Sequence, residues 1–199
     1  MIFRQLKPLL HAVIASAAIF FIANTCMAQE AAKVKFATTA GEFIVEVYPD
    51  KAPKTAENFL QYVKDKHYDG TIFHRVIENF MIQGGGFDTK FAQKKTRPPV
   101  IHEGREALAK GGPKNSVGTL AMARTNDPQS ATAQFFINVN ENSFLDPNAQ
   151  QPGYTVFGKV VSGMDIIQKI KSTPTGSGGP FPSDVPKTPI LIISATLVK

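Results

Sequence analysis

The chain of 199 residues reads as a mainly β protein, a barrel or a sandwich of antiparallel strands. Three observations predict this. Several short segments alternate apolar and polar residues with period two, as half-buried strands do. Gly, Pro, Asn and Asp clusters separate them. Only two segments carry the 3.6-residue apolar period of an amphipathic helix. Runs of strands with few helices belong to all-β architectures. The composition, 43% hydrophobic and 19% charged, is that of one globular domain.

Residues 1–28 read as a secretory signal peptide rather than part of the fold. Arg4 and Lys7 give a positive start, and Leu9 to Ala23 is apolar apart from His11 and Ser16. Small residues then lead to Ala28, so cleavage is expected there and the mature domain spans 29–199. The apolar run is short for a span of about 20 residues, so no stable membrane insertion is expected after cleavage. Export points to a periplasmic location. Cys26 is the only cysteine, so no intramolecular disulfide forms, and the core alone must supply stability.

Val34 to Thr39 and Glu42 to Tyr48 alternate around Ala40-Gly41 and read as a β-hairpin. Pro53 then suits the first turn of a helix. Ala56, Phe59, Leu60 and Val63 form its apolar face, with Asp50 as an upstream cap. Asp69-Gly70 turns the chain into the central stretch, 73–86. Residues 84–118 read as a surface-hugging loop, punctuated by glycines and prolines. Strands follow at Leu120 to Ala123, Phe135 to Val139 and Val156 to Val161. A second helix is predicted over Gly163 to Lys171, with Met164, Ile167 and Ile170 on one side. Gly176 to Pro186 reads as a loop and Ile190 to Val198 as the last strand.

Charge and motifs exclude several function classes. The formal charge is +6, and losing Arg4 and Lys7 with the leader takes it to +4. The lysines are scattered, so the sequence pI of 9.4 describes a solvated surface and not a nucleic-acid interface. The four histidines include no HExxH pair, and no CxxC occurs, so no zinc site is expected. GxSxG and Walker sequences are absent. The triple glycine 84–86 does not have phosphate-cradle spacing and reads as backbone turning beside a ligand face.

The central stretch, Phe73-His74-Arg75-Val76-Ile77-Glu78-Asn79-Phe80-Met81-Ile82-Gln83-Gly84-Gly85-Gly86, joins one cation, two large apolar side chains and an amide. Arginine is almost never fully buried unpaired, so Arg75 beside Phe80 and Met81 predicts a half-buried binding face. His74 is read as structural. Strand neighbours point to opposite faces, so if Arg75 faces the site His74 faces inward.

This stretch resembles the signature of the cyclophilin-type peptidyl-prolyl cis-trans isomerases. Leu120-Ala121-Met122-Ala123-Arg124 with Ala133-Gln134-Phe135-Phe136-Ile137-Asn138 resembles the family's second block. Phe144-Leu145-Asp146 with Tyr154 to Val160 resembles the third, and the likeness covers about residues 33 to 198. It is greatest to the bacterial periplasmic members. The resemblance implies a closed eight-stranded antiparallel β-barrel with two capping α-helices, and no cofactor. It implies a monomer that takes proline-containing polypeptides. Small barrels fill their interior with side chains, so the site is expected on the outer wall. Arg75 and Gln83 would be catalytic. Phe80, Met81, Phe136 and Leu145 would line the proline pocket. Met122, Ala123 and Gln134 would serve the adjoining groove, with Phe144 and Tyr154 at the rim. Arg124, Phe144 and Tyr154 stand where asparagine, tryptophan and histidine are common in eukaryotic members. Weak binding of cyclosporin A is therefore expected.

The chemistry fits these residue types. An X-Pro bond isomerises over a barrier near ~20 kcal/mol, in tens to hundreds of seconds. At the twisted transition state the prolyl nitrogen loses amide resonance and becomes a hydrogen-bond acceptor. A donor placed there binds the transition state selectively. A planar, permanently charged guanidinium is suited to this task, and no base or nucleophile is needed. Two other classes compete: a module that grips proline segments without turning them over, and a basic adhesin. A peptide isomerisation assay separates the first. Salt-dependent binding separates the second.

Overall fold

The structure, a computed structural model, describes residues 31–198. The expected leader, its cleavage point at Ala28 and Cys26 lie outside the described residues. Strands β1 (Ala32–Thr38) and β2 (Gly41–Val47) form the predicted hairpin, paired from Ala32 opposite Val47 to Thr38 opposite Gly41. Their alternating residues Val34, Phe36, Phe43, Val45 and Val47 are buried, as a one-sided amphipathic ribbon requires. Helix α1 (Pro53–Lys64) follows. Next come β3 (Thr71–Ile77), β4 (Met81–Asp88), a short helix α2 (Gly104–Ala109), β5 (Thr119–Met122) and β6 (Phe135–Asn138). Then β7 (Val156–Ser162), helix α3 (Met164–Lys171), β8 (Thr175–Gly178), β9 (Phe181–Pro186) and β10 (Ile192–Leu197) complete the chain.

Eight strands form one antiparallel sheet in the order β10-β1-β2-β7-β5-β6-β4-β3. Its two edges meet. Gly70 N–H donates to the Ile192 carbonyl at 2.9 Å, Phe73 N–H donates to that of Ile190 at 3.0 Å, and Ile72 bridges Leu191. The result is the nearly closed eight-stranded barrel that the resemblance implies, without the open edges that invite aggregation. Inside, Phe36 stacks on Phe43 at 5.0 Å, and Phe59 meets Phe135 edge-on at 5.8 Å. Helix α1 contributes Phe59 to this interior, and α3 contributes Ile167 and Ile170. Among the described residues no helix is long and apolar enough to cross a membrane.

The structure corrects four local expectations. Asp50 does not cap α1. The helix has no local side-chain cap, and the buried carboxylate of Glu103 accepts from Lys54 N–H at 3.1 Å and Thr55 N–H at 2.7 Å. A carboxylate at a helix N-terminus meets orphan donors and the positive dipole end together. The triple glycine is not a turn, because β4 runs through it. A Cβ on Gly85, whose φ is +83°, would stand 2.8 Å from Tyr68, and one on Gly86 would stand 2.6 Å from Gln134. The supposed loop 84–118 thus opens as strand and contains α2, too short to show a period. The supposed loop 176–186 is a hairpin, β8 and β9, with Thr175 opposite Pro186 and Gly178 opposite Phe181. Proline and glycine are breakers in central strands, but edge strands admit them.

The fourth correction concerns His74. Phe73 pairs with Gly84 and Arg75 with Gln83, so between these two pairs β3 has one residue more than β4 and bulges at His74. Phe73 and Val76 both belong to the barrel interior, and the two residues between them break the alternation. His74 is buried as expected of a structural histidine, but not among the interior rings. It lies against Phe87 at 4.8 Å and Phe181 at 5.4 Å, beneath the β8–β9 hairpin.

Candidate active site

The site is one row of residues across the outer wall. Arg75 of β3 pairs with Gln83 of β4, Gln83 with Phe136 of β6, Phe136 with Ala121 of β5, and Ala121 with Val156 of β7. Directly opposed residues on one face touch. The alternate residues Ile82, Ile137 and Leu120 enter the barrel interior. On the wall, Met81, Ala121, Phe136, Leu145 and Val156 form a second apolar cluster, with Phe80, Ala123 and Tyr154 packed against it.

These residues enclose a pocket of about 130 Å³, lined by Arg75, Phe80, Met81, Gln83, Ala123, Arg124, Phe136, Leu145 and Tyr154. At ~30 Å³ per water it would hold a few waters, the scale of one small ring. A neighbouring pocket of about 290 Å³ shares Gln83, Ala123 and Arg124 and adds Gln134, Thr125, Ser130 and Thr132. The two make a groove with one apolar and one polar compartment. Phe144 lies at the rim, 62% exposed, and stacks on Phe80 at 5.6 Å. Met122 does not contribute its side chain: it turns into the barrel interior, because it follows outward-facing Ala121 in β5.

Gln83 Nε2 donates to Gln134 Oε1 at 3.0 Å, so the two amides brace one another. Arg75 Nε lies 3.7 Å from Asp184 Oδ2, the one ion pair of this arginine among the described residues. Arg124 is fully engaged in structure. Its Nε and Nη2 donate to the Gly153 carbonyl at 3.3 and 2.9 Å, and its Nη1 donates to that of Thr125 at 2.8 Å. Its guanidinium also lies 4.4 Å over the Tyr154 ring, a cation–π contact. The arginine thereby pins the turn that delivers Tyr154 to the pocket. His102 Nε2 lies 3.1 Å from the same Gly153 carbonyl.

A buried polar network behind the pocket was not legible beforehand. Asn142 Nδ2 donates to the Phe80 carbonyl at 2.8 Å and to Asn138 Oδ1 at 2.7 Å. Asn138 Nδ2 donates to Thr119 Oγ1 at 2.9 Å and to Asn115 Oδ1 at 3.2 Å. Asn115 donates through its backbone N–H and its Nδ2 to Asp146 Oδ1. A satisfied buried network fixes geometry. This one ties Phe80 to the Leu145-Asp146 turn. The available signal was Asn138 in a strand, where asparagine is disfavoured.

Burial lowers the pKa of His74 to about 4, and the Arg75 charge lowers it further. Burial also lowers His102, against the Gly153 hydrogen bond, and Arg124 acts in the same direction as burial.

A barrel with a small apolar pocket on its wall, flanked by an arginine and an amide pair, has the form of a binding site for one small apolar group with polar contacts beside it. The chain belongs to a known family of that kind: residues 33–197 match the cyclophilin type peptidyl-prolyl cis-trans isomerases. It is 51% identical over 164 residues to a peptidyl-prolyl cis-trans isomerase of Acinetobacter baylyi, covering 82% of this chain and 84% of that one. It is 44% identical over 193 residues to peptidyl-prolyl cis-trans isomerase A of Dickeya dadantii, covering 97% and 98%. Among solved structures, a Cryptosporidium parvum cyclophilin, crystallised in the presence of the dipeptide Ala-Pro, matches its fold. The TM-score is 0.64 at 24% identity, over 84% of this chain and 99% of that one.

Proposed function

We propose that this groove isomerises X-Pro bonds of exported polypeptides, with Arg75 stabilising the twisted transition state. One observation carries the reading. Arg75 is half-exposed at the mouth of the pocket and uses only its Nε in an ion pair, so both terminal nitrogens are free for substrate among the described residues. The proline ring occupies the apolar pocket. The peptide runs over the Gln83–Gln134 pair, whose remaining donor and acceptor meet its backbone. As the imide bond twists, the prolyl nitrogen accepts from the guanidinium. That hydrogen bond exists only near the transition state, so it accelerates rotation instead of merely tightening binding. No covalent intermediate forms.

Export is supported by the signal-like residues 1–28. The 97% coverage by the Dickeya relative means the likeness reaches into that segment. Protein recovered from the periplasm should begin at Gln29 by mass spectrometry. An intact Met1 in protein from the envelope refutes the leader. For the reaction, isomerisation of a short X-Pro peptide is followed with wild type and Arg75→Ala. Loss of turnover with retained peptide binding is the expected result. Near-normal turnover in the folded variant refutes the assignment.

A further inference from the structure

We propose that Asp184, carried by the β8–β9 hairpin, is the positioning residue of Arg75: it holds the Nε edge and so aims both terminal nitrogens at the pocket. This rests on the role proposed above for Arg75. Gln83 is the nearest polar neighbour on the adjoining strand, but its amide is committed to Gln134. The Nε side of the guanidinium meets Asp184 Oδ2 at 3.7 Å. At 3.7 Å this is an ion pair and not a hydrogen bond, and a carboxylate on that side biases the guanidinium plane while leaving the terminal donors toward the pocket.

The backbone at Asp184 is consistent with such a task. Its φ is +65°, a left-handed conformation uncommon for residues other than glycine, with Asp and Asn the usual exceptions. The residue lies within β9, where extended backbone is the rule. The reversal interrupts the alternation, and Val185 and Pro186 are buried in succession. Non-glycine residues in such conformations persist where the surroundings impose them, and they cluster at functional sites. The surroundings here are explicit. Phe181 packs on Phe87 at 5.2 Å and on His74 at 5.4 Å, and Phe91 adds a contact at 6.1 Å. The hairpin is thus anchored on the bulge that presents Arg75. The extra residue of β3 supplies the anchor, and the next residue supplies the guanidinium.

Asp184→Asn tests this, because asparagine keeps the size and tolerates the positive φ while removing the charge. Turnover of the X-Pro peptide should fall roughly five- to twenty-fold, within what a misaimed catalytic group can lose. KM should change less than about twofold, since ground-state binding is untouched. In 15N-labelled protein, the Arg75 Nε–H resonance should lose order relative to wild type. Asp184→Gly, which also accepts the backbone conformation, should behave alike and serves if the asparagine variant misfolds. Unchanged turnover overturns the proposal, as does a fall in turnover with Nε–H order intact. If wild type itself does not isomerise the peptide, the reading of the groove fails instead. The Nε–H order then still decides whether Asp184 holds Arg75.

Discussion

Phe135 and Phe136 are neighbours in one strand and do opposite work. Phe135 is fully buried in the barrel, with edge contacts to Phe59, Tyr68 and Phe73 at 5.8, 5.4 and 6.2 Å. Phe136 lies on the other face, backed by Ala121 and Met81 and meeting Tyr154 edge-on at 5.5 Å. Rings inside the barrel are surrounded by other rings. Those on the wall leave a gap of about 130 Å³ in front of them. Apolar side chains normally close such a gap, because dispersion and burial both favour contact. Here the gap is kept open by polar parts: the Asn142 bond to the Phe80 carbonyl, the Arg124 clamp on Gly153 and the amide pair. Aromatic residues therefore build both regions, and hydrogen bonds separate a core from a pocket.

The largest expected effect breaks the interior side of this comparison. Phe135→Ala should destabilise folding by about 3–5 kcal/mol, as large-to-small changes in packed cores do. Denaturant midpoints measure this, and any activity loss should follow unfolding alone. Phe80→Ala should shift the midpoint much less and weaken peptide binding instead. Equal midpoint shifts would dissolve the distinction between core and wall.

Next is Arg75→Ala. On its proposed role as transition-state donor, its removal should lower turnover by about 10²–10³, while the midpoint should hardly move because the side chain is half-exposed. Arg75→Lys should rescue poorly, lacking the planar fork.

A third test concerns the outer aromatic cluster over His74. The imidazole is held neutral, with its pKa lowered from 6.5 to about 4. The unfolded chain therefore binds a proton that the folded chain refuses between these values. Stability is full above about pH 6.5 and declines as the pH falls toward 4, by roughly 3 kcal/mol from this group. His67 and His102, also lowered by burial, act with the same sign. Unfolding midpoints at pH 7 and 4.5 should therefore diverge, and less so in His74→Phe. An equal divergence in that variant would mean His74 does not carry the dependence. Turnover should stay level between about pH 6 and 9, since arginine does not titrate there. A bell-shaped profile centred on a histidine pKa would contradict an arginine acting alone and point to a general base.

The smallest effect sharpens the wall. Phe144 is an exposed ring on the rim, without the indole N–H of tryptophan. Phe144→Trp should tighten cyclosporin A about ten-fold, near 1.4 kcal/mol, with little change in turnover. If titration finds no tightening, Arg124 and Tyr154 at the same rim are the next residues to exchange.

Much of the pocket was legible because most of its residues fall in two local blocks. Arg75, Phe80, Met81 and Gln83 lie within one hairpin, and Gln134 and Phe136 within one strand and its approach. Period-two alternation also separated β1 and β2 into an inner and an outer face. The reading failed at His74 and Met122 for different reasons. The β3 bulge has no signature in apolar pattern, since it inserts a residue without changing the neighbours' chemistry. Met122 was assigned from resemblance, whereas alternation from Leu120 would have sent it inward.

By itself the sequence determined the strands whose faces differ, the helices whose stripes repeat, and the arginine beside an apolar platform. Each is a short-range regularity, set by where successive Cβ atoms point along a helix or strand. Only the tertiary structure decided that Glu103 caps α1, that breaker-rich residues 175–186 pair as a hairpin, and that Asp184 meets Arg75. Glu103 with Thr55 and Asp184 with Arg75 join residues distant in sequence through a charge, and electrostatic contacts impose no periodicity on the chain that makes them. The hairpin is local, but its glycines and prolines carry no alternating pattern, and packing of Phe181 on Phe87 and His74 holds it in place.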